Sequence, residues 1–367
     1  MLCSILINTR HQHWQTYVLN LSNKHTGWIF SPATFIFPKL SSKLLSKLFR
    51  KFLLVLVLLL LLLSSLWSLQ ALPVKNGRRI NRSDAVILPS SQWGELKFVK
   101  PNLELGGLHF AGPADIWHPD YGFLVQSTDQ GSYNLNFPTT GANGLYFDLI
   151  IRGDADELTW GTPITHDGIT ATVTRKTKCN AQCDVEFRVT LTGPEARNQW
   201  FNPYSSRIAR PRLPLTFELV GRDREGNEVI KYGFVLQKWF VVRGAELYHY
   251  PDMVTWCSGL GYRVPQVKDL TNAVCSGIGS GPNCQGSIGA TPPSKNNNYL
   301  RTIGAGLFSE WGFMYHYAGA DFVDQNYWTS DTTRIGQFSG QFDVGASNGD
   351  IFWFKTSIIN YGLCTTP

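Results

Sequence analysis

The sequence predicts a mostly β protein with an α+β part: an antiparallel β-sandwich over residues 80–245, then an α+β domain over 246–367. Three observations carry this. Short apolar runs separated by turn residues fill the first region, helical spacing appears only after Gly244, and residues 1–71 have a composition of their own. A chain of 367 residues accommodates two ordinary domains. Its 43% hydrophobic and 16% charged content suits packed domains rather than disorder.

The leader comes first. Residues 1–71 hold seven Lys/Arg and no Asp/Glu, so 26 of the 33 basic residues face 27 acidic ones in the remainder, a net charge of −1 there. The overall charge of +6 therefore belongs to the leader, and the folded part carries no basic footprint for nucleic acid. Phe52–Leu63 is twelve unbroken apolar residues, preceded by Lys43, Lys47, Arg50 and Lys51 and followed by small and apolar residues to Ala71. A basic stretch, an apolar core and a small residue at a cleavage point describe a secretion signal. Residues 52–69 approach the length of a bilayer span, so the alternative is an uncleaved anchor with the C-terminal part outside, facing the periplasm. Both place the remainder in an exported compartment, with membrane contact only through the leader. Residues 1–38 lie upstream of a normal signal and read as an extension from an early start codon.

Between residues 80 and 245, strands are expected at Leu145–Ile151, Ile169–Thr174, Val185–Leu191, Leu215–Val220 and Val229–Phe240. Cys179 and Cys183 fall at a hairpin between the second and third of these, and Gly221–Glu228 is a polar turn between the last two. The proline-rich stretch Asn202–Pro214 reads as a surface loop.

After Gly244 the period changes. Pro251 opens a helix carrying Met253, Trp256, Cys257 and Leu260 on one face, with Gly261 as its stop. Val267, Leu270 and Val274 mark a second helix, and Gly277–Asn298 is a 22-residue polar loop with five glycines, too long for a plain connector. Strands follow at Tyr327–Ser330, Ile335–Val344 and Ile351–Asn360, with the turn Asn348-Gly349-Asp350 between the last two.

Six cysteines lie beyond the leader, an even number that favours disulfides in an exported chain. They allow fifteen pairings. Spacing suggests Cys179–Cys183 and Cys275–Cys284 as short loops and Cys257–Cys364 as a tie from the start of the last domain to its end. A cysteine metal site is disfavoured, because the nearest spacing is Cys-x₃-Cys.

The order Trp256-Cys257, Gly261-Tyr262-Arg263-Val264-Pro265, Asp269-Leu270, Tyr327-Trp328-Thr329-Ser330 and Cys364 resembles the C-type-lectin-like domain that ends bacterial invasin/intimin-type adhesins. Tyr232–Phe240 looks like the adhesin domain that precedes it in large enterobacterial invasin-like proteins, so the resemblance covers residues 85–367. It implies a C-type-lectin-like fold for residues 246–367 and a non-catalytic adhesin, secreted or held at the cell surface of a Gram-negative bacterium, whose partner is a host-surface protein or glycan. The chain departs from full-length family members in having neither a β-barrel pattern nor immunoglobulin-like repeats between leader and tip.

No cofactor is expected. Calcium-dependent sugar binding lacks its carboxylates in the loop Pro292–Asn298. Neither a Gly-x-Ser-x-Gly elbow nor a phosphate-cradling loop occurs, and the pair His118 and Asp120 reads as solvated loop. Two rival functions stand beside the adhesin: a glycan-acting enzyme, marked by two close carboxylates in one cleft, and a structural subunit of a surface assembly, marked by a flat apolar interface. The expected contact face lies between loop Gly277–Asn298 and segment Trp311–Asp324, through Trp311, Tyr315, Tyr317, Asp321, Asn296 and Asn297. If the segment is extended, Tyr315 and Tyr317 share one face. The competing expectation is that these aromatics fill the core, as is expected of Trp256, Trp328 and Trp353.

Export is expected to depend on the apolar leader core. Two arginines placed within Phe52–Leu63 should trap the chain in the cytoplasm, since each costs about 2.5–3.5 kcal/mol at the centre of an inserted segment. Fractionation checks this, and unchanged export would refute the leader assignment.

Overall fold

The computed structural model describes residues 94–107, 109–152, 155, 157–177 and 184–367. The leader and the pair Cys179 and Cys183 lie outside the described residues. In chain order the strands are β1 (Glu95–Lys100), β2 (Trp117–His118), β3 (Gly122–Leu124), β4 (Thr140–Ala142), β5 (Tyr146–Arg152), β6 (Thr159–Trp160), β7 (Ile164–His166), β8 (Ile169–Thr177) and β9 (Asp184–Thr192). They continue as β10 (Leu215–Arg222), β11 (Glu228–Leu236), β12 (Lys238–Val242), β13 (Tyr248–His249), β14 (Asn326–Ile335), β15 (Phe338–Gly345), β16 (Ile351–Phe354), β17 (Ile359–Asn360) and β18 (Leu363–Thr365). Three α-helices are described: α1 (Tyr250–Leu260), α2 (Val267–Leu270) and α3 (Leu307–Trp311). The protein is mostly β, with several antiparallel sheets and few helices.

A seven-stranded sheet runs β2-β3-β1-β5-β9-β8-β7, and a three-stranded sheet runs β11-β10-β6. Alternation in the sequence dictates how they face one another. In β9, Val185, Phe187, Val189 and Leu191 are buried while the residues between them are partly open or paired, and in β10 Phe217 and Leu219 are buried likewise. Phe147 of β5 meets Phe234 of β11 edge to face at 5.7 Å, and Phe234 stacks on Phe217 at 5.2 Å. The expected hairpin across the cysteine turn is present as β8 pairing antiparallel with β9.

Several expected elements are cut differently. Val229–Phe240 is two strands rather than one, because the chain breaks at Gln237, where the N–H groups of Gln237 and Lys238 both donate to the Thr139 carbonyl at 2.7 and 3.3 Å. β11 stays in the three-stranded sheet, while β12 pairs parallel with β4 and antiparallel with β18. This parallel pair departs from an all-antiparallel arrangement, and it places residues 140–142, 238–242 and 363–365 in one sheet. The boundary expected near residue 245 thus falls within a single compact unit, Ser83–Pro367.

In the C-terminal region α1 forms as expected. Pro251 stands in its first turn, Met253, Trp256, Cys257 and Leu260 are buried, and Gly261 ends it in the left-handed conformation at φ 85°. Cys257 on α1 is bonded to Cys364 in β18, with Cα atoms 5.5 Å apart, and Cys275 to Cys284. The first bond spans 107 residues, for which chain entropy gives about 4–5 kcal/mol as an upper figure. Helix α2 is a single turn that ends before Val274. Gln266 and Asp269 cap it reciprocally, Asp269 is held by Arg263 (2.7 Å) and by Lys238, and Thr271 is already extended. Ile335 belongs to β14, and the strand expected over Ile351–Asn360 is split into β16 and β17.

Helix α3, which sequence periodicity does not announce, brings a charge into the interior. Glu310 is fully buried, and its carboxylate accepts hydrogen bonds from five donors. These are the Thr139 N–H (3.1 Å), Thr139 Oγ1 (2.8 Å), the Thr140 N–H (2.9 Å), Thr140 Oγ1 and the Gly304 N–H (2.8 Å). Burial pushes the Glu310 carboxyl above its usual range while the donors pull it down. Arg301 is buried as well. It lies over the Trp117 ring at 4.5 Å and donates from Nη2 to the Asn102 carbonyl at 2.8 Å. Gly312, at φ 80°, must lack a side chain, since a Cβ there would stand 1.5 Å from Arg301 Nη1.

Glu310→Ala should therefore cost about 3–5 kcal/mol of stability, because it empties the cage and leaves buried donors without an acceptor. Denaturant titration measures this; a loss below about 1 kcal/mol would show the cage to be replaceable by water.

Candidate functional site

The strongest candidate for a contact site is a cleft of about 570 Å³ lined by Asn102, Tyr146, the run Tyr315–Ala318, Asp321 and Phe322. Its two walls come from distant parts of the chain. Asn102 follows β1 and Tyr146 opens β5, whereas the opposite wall is the segment after α3.

That segment is not extended. Gly312 ends α3, and Met314–His316 form a 3₁₀ turn, so Tyr315 and Tyr317 do not share a strand face. Tyr315 points outward and is 56% exposed, whereas Tyr317 and Trp311 are buried. The Tyr317 hydroxyl donates to the Trp311 carbonyl and accepts from the Asn102 N–H, both at 2.7 Å, and burial pushes its phenol well above the usual range. Trp311 Nε1 donates to the Thr140 carbonyl at 3.0 Å. The side chains of Trp311 and Tyr317 therefore fill the core beneath the cleft, the outcome the competing expectation described.

The cleft's remaining polar groups are held in place. Asp321 sits at φ 61°, and its Oδ2 is 2.6 Å from Arg197 Nε, whose Nη2 donates to the Gly319 carbonyl at 2.8 Å. His316 stacks on Phe313 at 4.6 Å, with Nδ1 at 3.3 Å from Glu104. The Arg188 guanidinium covers one face of Tyr146 at 3.8 Å and is paired with Asp148 at 2.8 Å. Aromatic surface, a carboxylate and the Asn102 amide thus meet in one open cleft, a combination able to stack on a planar or sugar face and to hydrogen-bond around it.

Asn296 and Asn297 are not in this cleft. Asn297 is fully buried and fastens the long loop: its Nδ2 donates to the carbonyls of Gly279 and Ile351, and its Oδ1 accepts from the Ile351 N–H, each at 3.0 Å. Asn296 is half-buried and accepts from the Ile278 N–H at 3.1 Å. With the Cys275–Cys284 bond and the Asn272 side chain donating to the carbonyls of Pro292 and Leu300, the loop is held along its length rather than free to adapt.

Of the six expected contact residues, the structure brings Tyr315, Tyr317 and Asp321 to one cleft, with Trp311 below it. The cleft residues not among those six are Asn102, Tyr146, His316, Ala318 and Phe322, of which only Asn102 and Tyr146 lie outside the expected contact segment Trp311–Asp324. Tyr146 had a detectable signal, being a large aromatic at the head of a strand whose next five residues are buried. Asn102 had none, since its role comes from a contact 215 residues along the chain. Among the described residues, no three of His, Cys, Asp or Glu converge as metal ligands, and no helix is long and apolar enough to cross a membrane.

No protein-family model and no curated protein matches the chain. It is similar to a solved structure described as the crystal structure of invasin, a bacterial integrin-binding protein, at 15% identity and a TM-score of 0.40. That alignment covers 75% of this chain and 39% of the invasin chain, so this chain spans well under two thirds of that structure.

Separate alanine variants distinguish cleft from core. Tyr315→Ala should change stability by no more than about 0.5 kcal/mol, whereas Tyr317→Ala should cost about 3–5 kcal/mol. Thermal and denaturant melts decide it; equal losses would mean that Tyr315 is also part of the packing.

Proposed function

We propose that this chain is an exported adhesive protein that binds a host-surface protein or glycan, without catalysis, through a C-terminal lectin-like region comprising residues 246–367. The observation that carries it is the cleft around Tyr315 and Asp321: an exposed aromatic ring and a carboxylate on a wall that cannot readily move. Its floor is anchored by Tyr317, Trp311 and the Glu310 cage, so little freedom is lost on binding. The motif order from Trp256 to Cys364 supports the lectin-like assignment, and the bonds Cys257–Cys364 and Cys275–Cys284 fit an oxidising exterior.

On this reading residues 80–245 are the supporting adhesin domain, joined to the lectin-like region by the sheet β4-β12-β18. The protein is secreted or cell-surface associated, or is held by residues 52–69 when the leader is retained. The carboxylates nearest the cleft argue for binding over glycan hydrolysis. Asp321 is the one carboxylate lining the cleft and is paired with Arg197, and Glu104 stands against the His316 ring nitrogen at 3.3 Å.

Purified residues 80–367 should bind saturably to host-cell surfaces or to defined members of a glycan array, and Tyr315→Ala should weaken that binding about tenfold with an unchanged melting temperature. Absence of binding to both, or turnover of an arrayed glycan, would overturn the proposal.

A further inference from the structure

We propose that the loop between β9 and β10 is a second binding surface, a ladder that takes an extended sulfated polysaccharide. Residues 196–214 contain four arginines and no acidic residue, in a folded part whose overall balance is slightly negative. Arg197 is engaged by Asp321 and Arg212 by Asp167 at 3.4 Å. Among the described residues, Arg207 and Arg210 are exposed and have no ion-pair partner.

From Ser205 to Pro211 every third residue of the loop turns inward. Ser205 Oγ donates to the Trp256 carbonyl at 2.6 Å, the Ile208 N–H donates to the Leu260 carbonyl at 3.3 Å, and Pro211 is buried. The residues out of phase with these include Phe201, Tyr204, Arg207 and Arg210, and all four are exposed. Phe201 and Tyr204, at 76% and 81% exposure, are the most exposed large apolar side chains among the described residues. A repeat of three is that of an extended chain rising about 3.1 Å per residue, so Arg207 and Arg210 stand about 9 Å apart, while Phe201 and Tyr204 are presented by the turn before them, in which the Asn202 N–H donates to the Gln199 carbonyl at 3.0 Å.

The ladder is rigid. The Tyr262 hydroxyl donates to the Ala209 carbonyl at 2.8 Å, and Gln199 accepts from the Ser206 N–H at 2.6 Å while donating to the Ser206 carbonyl at 3.2 Å. Two exposed flat rings followed along the loop by two unpaired guanidinium groups match a linear polymer that offers sugar faces and sulfates in turn. Guanidinium binds such oxyanions through paired N–H donors. An anionic bilayer is the poorer fit, because headgroup recognition takes clusters of about 4–8 basic residues and here only two are unpaired. This inference uses the exported location but not the Tyr315 cleft, which can fail without affecting it.

The test measures binding of the full chain to heparin, with unsulfated dextran, a single-stranded oligonucleotide and phosphatidylserine-containing vesicles as further arms. Heparin should be retained at physiological salt, about 0.15 M, with affinity falling as salt rises, and dextran should not bind. Arg207→Ala with Arg210→Ala should lower heparin affinity about tenfold or more and flatten its salt dependence. Tyr204→Ala should lower it about threefold with the salt dependence intact. All these positions are exposed, and an unchanged melting temperature confirms that each variant is folded. Heparin binding that is absent, or equal in the double-arginine variant, overturns the proposal, as does stronger retention of vesicles or oligonucleotide than of heparin.

Discussion

A single buried carboxylate determines how the two halves of the folded chain meet. Glu310 reaches from α3 to the strand at Thr139 and Thr140, and its hydrogen bonds satisfy backbone groups that a sheet edge would otherwise leave open. A buried charge is tolerated only when it is closely surrounded by donors, so the surrounding chain must be placed around it. Once Thr140 is fixed, β4 can pair parallel with β12, β12 can receive β18, and the Trp311 indole finds its acceptor at the Thr140 carbonyl.

The Cys257–Cys364 bond acts on the same junction from the other side. Cys364 lies in β18, opposite Val241 of β12, so the bond clamps α1 onto the sheet that carries the connection between the regions. The result is a base with little internal freedom, and the two surfaces that remain rich in exposed aromatic rings stand on it. Tyr315 rises from a turn whose neighbours are sealed by Tyr317, and the Phe201–Arg210 loop is tied down on α1 by Ser205 and Ile208. Rigidity beneath an exposed ring lowers the entropic cost of contact.

Much of this was legible in the chain. Val185–Leu191 and Leu215–Val220 read as strands and both form, with Val185, Phe187, Val189 and Leu191 buried in the first and Phe217 and Leu219 in the second, because a strand has only two sides. The helical face of Met253, Trp256 and Leu260 was equally readable, as were the two cysteine pairs within the described residues. The contact residues were less so. Aromatic density in Trp311–Tyr317 marks a place where rings matter, but the same composition describes a core and a surface, and here Trp311 and Tyr317 went in while Tyr315 stayed out.

The sequence by itself determined the periodic elements, the distinct composition of residues 1–71 and the cysteine pairing seen here, because each is written in the order of residues along the chain. The tertiary structure alone decided where β11 and β12 part, which tyrosine is exposed, and how Asn102 and Tyr146 come to wall a cleft with Asp321. Those outcomes depend on which buried donors and acceptors find each other across 100 to 200 residues, as Glu310 does with Thr139 and Thr140, and local pattern does not encode such pairings.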